Sequence, residues 1–117
     1  MTQEDKELLL KDLCARLPYN VRIRHYVNDI DFYSNPLMTY DIDQLKNNKA
    51  IIKPYLRPML SMTEEEKIEY RQKQTNYEFG YFDTYASIDY LNSIHVDYRG
   101  LIEKGLAIKA SEEMYKI

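Results

Sequence analysis

The chain holds one thiol, Cys14, and two imidazoles, His25 and His95. With a carboxylate, these are the residue types from which a nucleophile, a base and an orienting group are built. Their spacing argues against that use. Cys14 falls on the stripe Leu9, Leu10, Leu13, Cys14, Leu17 of an expected helix, and so reads as a core thiol. His25 shares the apolar face of an expected strand with Val21, Ile23 and Val27, and reads as core or core edge. His95 follows the helical stripe Ile88, Leu91, Ile94, where an imidazolium would complement the negative end of the helix dipole. A hydrolase-type enzyme is therefore the least supported class.

Oxygen ligands for a hard cation could come from Asp29-Ile30-Asp31 and Asp41-Ile42-Asp43, each placing two carboxylates on one strand face. Acids beside turns, facing Arg22 and Arg24, are the simpler reading, so no metal is expected. Gly80, Gly100 and Gly105 are the only glycines, and no phosphate-binding loop or dinucleotide fingerprint occurs. No cofactor is expected. Glu64, Glu65 and Glu66 read as helix-start charges.

Two surfaces suit binding better than chemistry. Tyr77, Phe79, Tyr81, Phe82 and Tyr85 form an aromatic run. Tyrosine-rich patches make good protein interfaces, because a rigid ring gives large contact at low entropic cost. A protein partner or a homo-oligomer is the expectation there, although the same rings could fill the gap between sheet and helices. The second surface is basic. Residues 16–28 and 44–58 contain Arg16, Arg22, Arg24, Lys46, Lys49, Lys53 and Arg57 and no acid. If the segments are neighbours in a sheet, Arg22, Arg24, Tyr26, Lys53 and Arg57 could contact nucleic acid, with tyrosine for base stacking. Four aspartates lie between the segments, and a nucleic-acid-associated module is the alternative rather than the first reading.

The elements that must position these groups are legible in outline. Thr2 caps a helix over 3–16, which Pro18 stops. Val21–Val27 alternates as a half-buried strand, Asn28-Asp29 turns, and Ile30–Tyr33 reads as a second strand. Leu37–Ile42 and Ala50–Tyr55 read as a third and a fourth. Pro54 and Pro58 cannot donate to a ladder, so that last strand should be an edge or end there. Ser61-Met62-Thr63-Glu64 and Thr63-Glu64-Glu65-Glu66 compete as capping boxes for a solvated helix over about 62–74. An aromatic loop or irregular strand follows, then a helix from Asp83 or Thr84 to His95. Asp97 caps a short helix ended by Gly105, and Leu106–Ile108 tucks back or adds an edge strand. The predicted fold is α+β. A small antiparallel sheet, or an SH3-like partly closed barrel, spans about 20–58, with an N-terminal helix and C-terminal helices.

The 117 residues fit a single domain over 1–117, and 44% apolar content is enough for a core. The net charge of −3 does not indicate a strongly basic nucleic-acid binder. It is uneven: residues 1–58 carry nine cations against eight acids, residues 59–117 seven against eleven. The lone cysteine suggests a reducing compartment. No secretory signal or membrane span is read, so a cytoplasmic protein without a membrane partner is expected.

Three stretches carry a resemblance: Ile52-Lys53-Pro54-Tyr55-Leu56-Arg57-Pro58-Met59 running on to Ser61-Met62-Thr63-Glu64-Glu65-Glu66; Asp89-Tyr90-Leu91-Asn92; and Asp97-Tyr98-Arg99-Gly100-Leu101-Ile102-Glu103-Lys104-Gly105-Leu106-Ala107. With Leu13-Cys14-Ala15-Arg16-Leu17-Pro18-Tyr19, they resemble a family of small proteins encoded by gut Bacteroides-type bacteria, their phages and mobile elements. Residues 20–50 match only as a pattern of strands. The resemblance implies no activity. It implies a setting, an accessory protein of a phage or integrated element.

Overall fold

The computed structural model describes the backbone of residues 1–27, 30–76, 81–82 and 84–115; the side chains of 27, 30–35, 75–76, 81–82 and 84 are not described. Helix α1 is Gln3–Arg16. Its start is a capping box, with the Asp5 N–H donating to Thr2 Oγ1 at 3.0 Å and the Thr2 N–H to Asp5 Oδ2 at 3.4 Å. A 3₁₀ turn over Leu17–Tyr19 follows, with Asn20 left-handed at φ 56°. Strand β1 (Arg22–Val27) pairs antiparallel with β2 (Ile30–Pro36), with a register shift between His25 and Tyr26.

The expected third strand is instead a helix, α2 (Thr39–Lys46). Asp41 accepts the Met38 N–H at 2.9 Å, closing the first turn from within, and Leu37 and Leu45 are buried on either side. Helical spacing thus wins over the short alternation 37–42.

Strand β3 (Ile51–Pro58) is central, not an edge, and runs through Pro54. It changes partners there. Ile51–Pro54 pair antiparallel with β1, whereas the second half pairs parallel with β6 (Val96–Asp97) and β7 (Ile108–Lys109). The peptide joining Leu56 to Arg57 is bonded on both sides: its carbonyl accepts from Ala110 N–H at 2.8 Å, and its N–H donates to the His95 carbonyl at 2.8 Å. The sheet is therefore mixed and open, and the barrel alternative does not form.

Between β3 and β6 lies a two-helix arm. Helix α3 (Glu64–Gln74) leads into a short hairpin, β4 (Thr75–Asn76) against β5 (Tyr81–Phe82), and α4 (Thr84–Ser93) returns. Thr63 wins the competition for the α3 cap: its Oγ1 accepts the Glu66 N–H at 3.1 Å and its N–H donates to Glu66 Oε1 at 2.9 Å. The segment after Asp97 forms turns rather than a helix. The Asp97 carboxylate takes the N–H groups of Leu101 and Ile102 at 2.9 and 3.0 Å, and Gly100 and Gly105 turn left-handed at φ 72° and 73°.

Two apolar clusters result. The larger joins Leu9 and Leu13 of α1, Leu45 of α2, Val21 just before β1, Ile23, Ile52 and Leu56 of the sheet, and Leu101. The smaller, Met62, Leu91 and Val96 with Tyr70, Ile88, Ile94 and Tyr98, holds the base of the arm. The molecule is elongated, at 50 × 29 × 23 Å. Its radius of gyration of 15.1 Å exceeds the roughly 13.4 Å expected for a compact chain of this length.

Candidate interaction surfaces

The thiol and imidazoles are not assembled into one site. Cys14 is exposed, not buried. The buried stripe of α1 is Leu9, Asp12, Leu13, Arg16, turned away from the stripe that apolarity alone predicts. The reason is an ion pair. Arg16 Nε donates to Asp12 Oδ2 at 2.9 Å, both side chains are 0% exposed, and Arg16 Nη2 donates to the Val96 carbonyl at 2.8 Å. Arg99 Nε donates to the other Asp12 oxygen at 3.0 Å. The Tyr98 ring lies beneath both guanidiniums, 5.2 and 4.9 Å from their carbons, and its hydroxyl donates to Asn92 Oδ1. The Asp12 carboxylate thus ties α1 to the 97–107 turn, and the Arg16 guanidinium it holds ties α1 to β6 at the root of the arm.

His25 does meet an acid: its Nδ1 lies 2.9 Å from Asp41 Oδ1. Both side chains are sealed, at 3% and 2% exposure, and the same carboxylate caps α2. The pair fastens α2 to β1. Asp43 is exposed, because on a helix positions 41 and 43 point to different sides, so these two acids do not form the paired face expected of a strand. Among the described residues, no cluster of acids, histidines or cysteines could hold a metal ion, and no helix is long and apolar enough to cross a membrane.

His95 sits just past α4 at φ 64°, stacked on Tyr115 with ring centroids 3.9 Å apart. Burial, then the nearby charges of Arg16 and Arg57, lower its pKa to about 4. It is neutral at pH 7, so it does not complement the helix dipole as a cation. Tyr115 closes the place where β1 and β3 part. The Arg22 N–H donates to its hydroxyl at 2.9 Å, and that hydroxyl donates to the Tyr55 carbonyl at 2.7 Å. The phenol is an inserted rung, bridging the pair next after Ile23 and Pro54. Burial pushes its pKa up to about 12.

Of the residues expected to contact nucleic acid, four share a sheet face. Arg22, Arg24 and Tyr26 alternate on β1, and Lys53 stands opposite Arg24 on β3. Arg24 lies over the Tyr26 ring at 5.5 Å. α1 and α2 pack against the other face, through Ile23 and Ile52. Arg57 is withdrawn from this set. Its two Nη atoms each reach a Glu66 oxygen at 2.7 Å, and they also donate to the carbonyls of Ile94 and Ser61. The Arg57 fork holds the Glu66 pKa below its usual range, and Glu66 in turn raises that of Arg57. This fork is the hinge pin between β3 and the arm.

Of the expected partner-binding aromatics, Tyr77 and Phe79 lie outside the described residues, and Tyr81 and Phe82 are described only as the backbone of β5. Tyr85 opens α4 at 91% exposure. Other apolar side chains stand out on the same unit: Leu60 at 97%, Ile68 at 49% and Met59 at 42%. No residue of α3 is buried.

The chain matches no known protein family, curated protein or solved structure. The functional reading therefore rests on these surfaces.

Proposed function

We propose that the protein is a non-catalytic interaction module, an accessory protein of a phage or mobile element, that meets a protein partner through the α3–α4 arm. The observation that carries this reading is the set of exposed apolar side chains along the arm and its approach, Met59, Leu60, Ile68 and Tyr85, which include the two most exposed large apolar side chains among the described residues, Leu60 and Tyr85; Met1, Met38, Tyr40 and Ile51 are exposed elsewhere. Isolated exposed apolar residues are ordinary, and a run of them along one unit offers a partner apolar area to bury. Charged and imidazole groups that could have served chemistry are occupied in fastening elements together: Asp12 by two arginines, Arg57 by Glu66, and His25 by Asp41.

A second reading has its own observation. Arg22, Arg24, Tyr26 and Lys53 share a sheet face opposite the helices, a basic and aromatic platform of the kind that stacks single-stranded bases. Affinity capture from a gut Bacteroides-type host separates the two. The arm reading expects protein partners that are lost with Tyr85→Asp and kept with Arg22→Glu/Lys53→Glu. Nuclease-sensitive, salt-sensitive capture lost only with the sheet variant would replace it with the second reading.

A further inference from the structure

Helix α3 has two faces with different work. Glu66 faces Arg57, Tyr70 enters the smaller apolar cluster, and Lys73 lies over the Tyr90 ring at 5.8 Å. That leaves an outer stripe at helical spacing, Glu64, Glu65, Ile68, Arg71 and Gln72, every member of it exposed. The stripe is ordered by charge: acids in the first turn, an isoleucine in the middle, arginine towards the end. Reversing its direction about Ile68 gives the complement of the same stripe. Position 65 then faces 71, position 64 faces 72, and 68 faces itself.

We infer that the occupant of this stripe is a second copy of the chain, with two α3 helices antiparallel across a two-fold axis at Ile68. This rests on the arm being a contact surface and names its partner. In that arrangement Glu65 of each copy meets Arg71 of the other, twice per dimer, and the Ile68 side chains bury each other. An isologous contact requires such self-complementarity. The ends agree with the centre. Leu60 precedes the N-terminus of α3, and Tyr85 opens α4 beside its C-terminus, so the antiparallel arrangement brings each copy's Leu60 to the same end as the other's Tyr85. Parallel pairing would instead set acids on acids and arginine on arginine. One helix pair with two apolar ends is a small interface, so the association should be weak, with Kd on the order of 1–100 µM.

Sedimentation of the full chain from about 1 to about 300 µM tests this by charge exchange. The stripe is solvent-exposed, so the variants are expected to fold, and circular dichroism checks that they do. Wild type should dimerise. Glu65→Arg alone and Arg71→Glu alone should each raise Kd at least about tenfold, because each creates two like-charge contacts. The double variant Glu65→Arg/Arg71→Glu should recover dimerisation, and an equimolar mixture of the two single variants should form the heterodimer. A chain that stays monomeric throughout, or a dimer indifferent to these exchanges, overturns the inference. If host capture still depends on Tyr85 in that event, the broader arm reading survives; if it does not, both fall.

Discussion

Neutralising Asp12 is the sharpest perturbation of the joint. In wild type its two oxygens take Arg16 Nε at 2.9 Å and Arg99 Nε at 3.0 Å, with Asp12 and Arg16 both 0% exposed. Asp12→Asn leaves the Arg16 charge sealed with a carbonyl as its remaining partner of comparable quality, and breaking a buried pair this way costs about 3–5 kcal/mol. A chain of this size has roughly 6–17 kcal/mol in total, so the variant should fold but be badly weakened. With a urea slope of about 2 kcal/mol per M, the unfolding midpoint should drop by about 1.5–2.5 M at unchanged slope. Arg99→Ala should cost less, about 1–2 kcal/mol, because Arg99 is 18% exposed and water can replace it. Replacing the buried pair, Asp12→Leu/Arg16→Met, should recover part of that loss, since it removes the sealed Arg16 charge and leaves only Arg99, 18% exposed, to be met by water. Urea denaturation followed by circular dichroism reads all three. If Asp12→Asn costs less than about 1 kcal/mol, or the double variant is worse than the single, the joint is not held as described.

Tyr115→Phe should cost about 2–3 kcal/mol by the same assay, because it strands the Arg22 N–H and the Tyr55 carbonyl together; a loss below about 0.5 kcal/mol would mean that water fills the rung. Glu66→Gln should cost about 1–2 kcal/mol, the bidentate pair with Arg57 being about four-fifths enclosed at 18–20% exposure, and should raise amide exchange across α3 before β1. For His95, the folded pKa of about 4 lies below the unfolded 6.5. The unfolded chain therefore binds the extra proton between those values, and stability falls as pH drops from 6.5 towards 4, unaffected by this group above that window. The ring is only partly enclosed, so the loss is about 1–2 kcal/mol rather than the full shift. His95→Asn, which tolerates the left-handed backbone, should flatten this step; a His95 ring signal titrating near 6.5 by NMR would refute it.

Local signals carried much of the fold. Helix α1, the start of β1 and the Thr63 box follow from caps, stops and alternation over a few residues. Where structure and sequence pattern differ, long-range partners decide. Apolarity alone puts Cys14 inside, whereas the Asp12–Arg16 pair, legible as an i,i+4 spacing, has a partner in Arg99 that only the fold brings near. Pro54 implies an edge or a strand end only if a strand keeps one partner along its length, and β3 changes partner there. The parallel pairings of β6 and β7, two residues each, are too short to show a period. Arg57 belonged to a basic patch by sequence and to Glu66 by geometry, nine residues away across a turn.

The claim on which the account turns, that the outer stripe of α3 is an interface, is tested most directly by disulfide trapping. In a Cys14→Ser background, single cysteines are placed at 65, 68 and 71 and oxidised at about 50 µM protein. A disulfide needs Cα atoms within about 7 Å, which on a two-fold antiparallel pair only the central position satisfies. Rapid covalent dimer with Ile68→Cys and little with Glu65→Cys or Arg71→Cys is the predicted result. No covalent dimer at 68, or equal yields at all three positions, contradicts it.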